Sequence, residues 1–208
     1  MTIATIDTVR PKLVRGRGGG GPASTRTVVA YGFWIFLLSD FILFAGLFAA
    51  YAVLSGNTAG GPTGAELFNL RSVFIETMCL LFSSYACGLG ALSAERRRVD
   101  HFYISAVFTF ALGAAFLFIE ISEFAGMISR GAGPSRSAFL SAFFTLVGTH
   151  GAHVTLGLIW FIYMVAQVAV KGLRPHVLRR LLCFSLFWHA LDIIWVGVFT
   201  LVYLMGAR

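Results

Sequence analysis

The chain has 208 residues, of which 58% are hydrophobic, 15% aromatic and only 12% charged. A water-soluble domain carries roughly 25% charged residues, so this composition excludes one and describes a polytopic membrane protein. The net charge of +7 sits in the connectors and reads as a topology signal, not as a surface for nucleic acid.

Residues 1–27 are rich in Gly, Arg and Thr ("RGRGGGGPASTRT") and show no hydrophobic period, which predicts a flexible tail. The rest of the chain, 28–206, reads as one all-α domain, a bundle of five transmembrane helices. About 20 apolar residues cross a bilayer core of ~30 Å, and five charge-poor runs meet that length: 28–54, 72–94, 102–124, 138–170 and 181–206. The first follows a basic segment and contains "AYA" at 50–52, as a cleaved leader would. Its apolar run exceeds the roughly 7–15 residues of a signal core, so it is read as a retained span. The connectors "SGNTAGGPTG" (55–64) and "RGAGPSRSA" (130–138) are turn-forming and too short to be domains. Span four carries Gly148, Gly151, Ala152 and Thr155 at i, i+3, i+4, i+7, a small-residue face suited to helix packing. Cys79, Cys87 and Cys183 form no close pair and read as small buried apolar residues.

Basic residues resist translocation and therefore orient the bundle. Arg10, Lys12, Arg15, Arg17, Arg26, Arg96, Arg97, Arg98, Lys171, Arg174, Arg179 and Arg180 fall on one side, twelve in all, against four on the other: Arg71, Arg130, Arg136 and Arg208. This predicts a cytoplasmic N-terminus and an external C-terminus.

Ionisable residues within spans are costly and mark candidate sites. Here they are Asp40, Glu76, Glu120, Glu123, His150, His153, His189 and Asp192. Three pairs stand at i, i+3 and share a helix face: Glu120 with Glu123, His150 with His153, and His189 with Asp192. Counting ~1.5 Å per residue puts Asp40, His150, His153, His189 and Asp192 at similar mid-membrane depth, where they could converge. Glu76, Glu120 and Glu123 fall in the outer third. The residue types leave three chemistries open. His150 and His153 could share a metal if carboxylates arrived from other helices. Either could join His189 as axial ligands of a b-type haem. Otherwise the imidazoles are neutral and hydrogen-bond between helices or to lipid headgroups.

The segments "FWIFLLSDFILFAGLFAAYAVL", "ETMCLLFSS", "FIEISEF", "GTHGAHVTLGLIWF" and "LFWHALDIIWVGVFTLVYLMGA" resemble subunit III of the haem-copper terminal oxidases. The resemblance runs in order over about residues 30–206. The five-helix form, with "RSAFLSAFFTLVGTHG", looks most like the branch found in bacterial cytochrome o ubiquinol oxidases.

The resemblance implies a non-catalytic subunit of the bacterial inner membrane, its C-terminus periplasmic, in a proton-pumping ubiquinol oxidase. It would carry no haem or copper, those belonging to the catalytic subunit I. It would pack beside that subunit, with subunits II and IV in the complex, and bind phospholipid in a V-shaped cleft between its first two helices and the other three. Asp40 takes the place of the family's S-E/D acid, His150 and His153 match "G-x-H-G-x-H", and His189 with Asp192 match "W-H-x-x-D". Glu120 and Glu123 match a pair written Q-x-x-E in cytochrome c oxidases. These residues are then interhelical or lipid-binding, with no catalytic, cofactor or metal site on this chain. The rival readings are a proton relay through Asp40, His150, His153, His189 and Asp192, and a bis-His haem electron carrier.

Overall fold

A computed structural model describes residues 24–206. The N-terminal segment read as a tail therefore lies outside the described residues, except at its end. There Ser24 caps the first helix, its Oγ accepting from the Thr27 amide at 3.2 Å. Residues 25–27 are thus helix and not tail.

Five long apolar helices, each able to cross a membrane, carry the chain back and forth. They are α1 (Thr25–Leu54), α3 (Leu70–Glu95), α4 (Val99–Ser129), α5 (Ala138–Lys171) and α6 (Pro175–Val198), with α2 (Gly64–Leu67) a single turn in the first connector. The helix α6 continues through Phe199–Leu204 as π-helix. Most helices outrun the apolar spans because hydrogen bonding along the axis does not stop where hydropathy does, and their ends are fixed by local chemistry. Asn69 Oδ1 accepts from the Ser72 amide at the start of α3, and Ser137 Oγ accepts from Leu140 at the start of α5. Pro175 occupies the first turn of α6, where a missing N–H costs nothing. Gly172, at φ +67°, ends α5 in a conformation that L side chains rarely adopt.

The turns at 96–98 and 172–174 lie at one end of the bundle, here the basic end. The residues 55–69 and 130–137 lie at the other, the loop end. At the basic end Arg97 takes a positive φ of 59° and its guanidinium donates to the Leu173 carbonyl, joining the two turns. Arg26 of α1 pairs with Glu95 of α3 there.

Helix α6 is the hub. Trp188, 1% exposed, fills a slot walled by two glycines: an added Cβ would meet its ring at 2.9 Å from Gly113 of α4 and 2.8 Å from Gly157 of α5. Small residues let the backbones approach where lipid gives little hydrophobic reason to associate. Trp188 Nε1 donates to Ser83 Oγ (3.2 Å), which donates onward to the Thr109 carbonyl (2.8 Å), so one chain of hydrogen bonds crosses α6, α3 and α4. One turn pair further along, Trp195 Nε1 donates to Thr77 Oγ1 at 3.0 Å.

The packing corrects two expectations. The first two spans are not set apart together from the other three: α1 lies against α5 and α6, while α3 lies against α4 and α6. The small-residue face of α5 is also not its main seam. Ala152 is exposed and Gly148 and Thr155 are half-buried, whereas the buried stripe runs through His150, Gly151, Val154, Gly157 and Leu158. Bulk on the neighbouring helix decides which small residues are needed, and the bulk comes from Trp188 and Glu120.

At the loop end Leu67 and Phe68, just before α3, turn inward and are buried. Phe68 meets Tyr203 at 4.8 Å and Phe143 at 5.1 Å between ring centroids, plugging the bundle.

Candidate functional site

The eight ionisable residues fall into three groups and one outlier. The histidines of α5 share a face and both stand against Phe44 of α1, but they bond differently. His150 is fully buried. Its Nε2–H donates to the Leu191 carbonyl at 3.2 Å, since a carbonyl only accepts, and its Nδ1 finds no donor among the described residues. Rings enclose it: Trp195 at 5.0 Å, Phe116 at 5.7 Å and Phe44 at 6.4 Å. His153 is half-buried, donates from Nδ1 to the Thr149 carbonyl of its own helix (2.7 Å), and packs on Phe44 of α1 at 5.3 Å.

His189 and Asp192 look the other way, from α6 toward α3. His189 Nδ1–H donates to the Ser185 carbonyl at 2.6 Å, and an added Cβ at Gly88 would lie 3.6 Å from its Nε2. Asp192 is half-buried beside Ser84 and His189.

Asp40 is half-buried on α1 and makes no side-chain hydrogen bond or ion pair among the described residues. The expected meeting of Asp40, His150, His153, His189 and Asp192 does not occur. His153 packs on Phe44, one turn from Asp40 on α1, while His189 and Asp192 turn toward α3. Among the described residues no three His, Cys, Asp or Glu side chains are arranged to hold a metal ion.

The carboxyls that do come together are Glu76, Glu120 and Glu123. Glu76 of α3 is fully buried and lies within electrostatic reach of Glu120 and Glu123 of α4. Glu120, 3% exposed, rests on the backbone of α5 at Gly151, where an added Cβ would come within 2.8 Å of its Oε2. Glu123 is half-buried with Ser72 and Arg130 beside it. Tyr203, 1% exposed, reaches this group from the π-helical end of α6.

Several polar residues of the interior escape a search for charge alone. Gln167 of α5 is 5% exposed, and its Oε1 accepts from Arg180 of α6 at 3.1 Å. Thr77, Ser83 and Ser84 of α3 are buried against α6. Their signal is hydroxyls spaced along an apolar helix opposite a helix with two tryptophans.

Comparison with known proteins is consistent with this architecture. A sequence profile of the family described as cytochrome c oxidase subunit III matches residues 17–207. The cytochrome bo(3) ubiquinol oxidase subunit 3 of Pseudomonas aeruginosa is 52% identical over 177 residues, covering 85% of each chain. Its counterpart from Pseudomonas putida is 50% identical over 84% of each chain. The quinol oxidase subunit 3 of Bacillus spizizenii is 44% identical, over 84% of this chain and 86% of that one.

Proposed function

Because the chain belongs to the cytochrome c oxidase subunit III family, we propose that it is the third subunit of a bacterial ubiquinol oxidase and acts as a structural and lipid-binding partner of the redox subunits. Ubiquinol oxidation and O₂ reduction, with their haems and copper, then belong to the catalytic subunit I, and subunits II and IV complete the complex. The chain spans the inner membrane with its basic end cytoplasmic and its loop end periplasmic, as the uneven distribution of Lys and Arg supports.

One observation carries the structural role: the histidines of the interior are committed to backbone carbonyls on α5 and α6. His150 ties α5 to α6 through Leu191, and the rings of Phe44, Phe116 and Trp195 pack around it. The surface supports a lipid role. Helix α1 presents Tyr31, Ile35, Phe36 and Ile42 outward, and a groove of about 300 Å³ between α4 and α5, lined by Val107, Phe110, Phe161 and Ile162, has the apolar walls an acyl chain fits.

The test is the purified complex with His150→Asn and, separately, His153→Asn. Haem and copper per complex should stay at the parent values, while detergent should release this subunit more readily from the His150 variant. Loss of about one haem or one metal ion per complex would overturn the reading. Reporter fusions after residues 98 and 133 test orientation; a periplasm-dependent reporter active at 98 would reverse it.

A further inference from the structure

Both oxygens of Glu76 and of Glu120, and Oε1 of Glu123, find no hydrogen-bond donor among the described residues. The titratable and charged groups facing them are few. Cys79 and Tyr203 stand beside Glu76, Tyr51 beside Tyr203, and Arg130 reaches Glu123. An ionised carboxylate in an apolar enclosure needs a cation or several donors, and two of them facing each other repel in low dielectric. Glu76 and Glu120 have neither kind of partner, and a proton is the smallest ligand that cancels such a charge.

A second feature gives that ligand a route. A cleft of about 270 Å³ lies at the loop end between the start of α3 and the last turns of α4, lined by Asn69, Ser72, Ser122, Glu123, Gly126 and Arg130. Leu67, Ile119 and Met127 complete its wall, and Asn69 and Arg130 at its rim are exposed. Glu123 belongs to both places, being a wall of the cleft and the neighbour, three residues along α4, of Glu120.

We propose that Glu76, Glu120 and Glu123 form a proton-binding site that exchanges with the aqueous phase at the loop end, with Glu123 as its entry group. A hydronium in the cleft gives its proton to a Glu123 carboxylate oxygen and leaves as water. The proton passes on to Glu120 or Glu76 once that carboxyl has released its own proton outward by the same route, through the Glu123 carboxylate to water. Each exchange is thus one proton out and one proton in, and leaves Glu123 as the carboxylate. Only O–H bonds form and break, and no electron moves. The Gly151 backbone gives Glu120 its seat, and the π-helical turn sets Tyr203 over the group. The site does not depend on the oxidase reading, since its occupancy is measurable whatever the partner subunits do.

Infrared spectroscopy of the intact complex, transferred from H₂O to D₂O, tests it. Glu76→Gln and Glu120→Gln should each remove one protonated-carboxyl C=O band that shifts in D₂O in the parent. Glu123→Gln should keep those bands and lose the fast phase of their exchange. Arg130→Gln, at the exposed mouth, should keep the bands and alter only the exchange rate. Unchanged carboxyl bands in both the Glu76 and Glu120 variants would overturn the proposal, as would fast exchange surviving Glu123→Gln. Failure of the Glu76 or Glu120 variant to assemble also counts against it, because Gln reproduces the shape and neutrality of a protonated Glu.

Discussion

Helices α1 and α6 are both 30 residues long as spans and both strongly apolar, yet 56% of the most apolar window of α6 is buried and only 11% of that of α1. Helix α1 touches the bundle along one stripe, Leu37, Phe44 and Tyr51, spaced seven apart. Helix α6 is packed by neighbours on several sides and is hydrogen-bonded to α3 through both of its tryptophans. Hydropathy measures affinity for hydrocarbon and is blind to whether the hydrocarbon is lipid or protein. The difference comes from side chains with volume and a polar tip on α6, set against glycines and hydroxyls on the helices around it.

The largest expected effect breaks the hub. Trp188→Ala should cost about 3–5 kcal/mol, read as a lowered midpoint for thermal or detergent dissociation of the complex. Phe44→Ala, the corresponding truncation in α1, should fall at or below about 3 kcal/mol, because a cavity at a peripheral helix can be filled from the membrane. Equal losses would mean that α1 is held more tightly than its single stripe implies.

Glycines sharpen the same contrast. Gly157→Leu drives a side chain into the Trp188 ring and should destabilise by about 1–3 kcal/mol. Gly46→Leu on α1, where an added Cβ meets nothing within 4 Å, should change the dissociation midpoint by no more than about 0.5 kcal/mol equivalent. Trp195→Phe keeps one aromatic ring and removes the bond to Thr77, for a loss of about 1 kcal/mol, below that of the Gly157 variant. Thr77 keeps its own bond to the Val73 carbonyl (2.8 Å) in that variant.

Asp40→Asn should have the smallest effect, within about 0.5 kcal/mol, with bound lipid and protons pumped per electron unchanged. Asp40 has no partner among the described residues whose loss could be felt. An assembled Asn variant with normal lipid and abolished pumping would instead make α1 part of a proton path, and its loose packing a functional feature.

Sequence by itself determined the five helices, because a bilayer demands long, charge-free runs whose backbone bonds are all internal. It also determined that Glu120 with Glu123, His150 with His153 and His189 with Asp192 share faces, which follows from 3.6 residues per turn. Counting along the spans also put Glu76, Glu120 and Glu123 in one layer, and these three do come together. What each face looks at was not legible, since the rotation of one helix against another depends on how side chains of different helices interlock. Thus His150 of α5 reaches the Leu191 carbonyl of α6, while His189, on α6 itself, turns toward Gly88 of α3. Tertiary structure alone decided that Gly151 and Gly157, and not Ala152, carry the α5 seam, that Leu67 and Phe68 fold inward from a connector rich in turn residues, and that a π-helical turn delivers Tyr203 to the three glutamates. Each of these is a contact between residues far apart in the chain, whose geometry is fixed only when bulky side chains and small ones meet across helices.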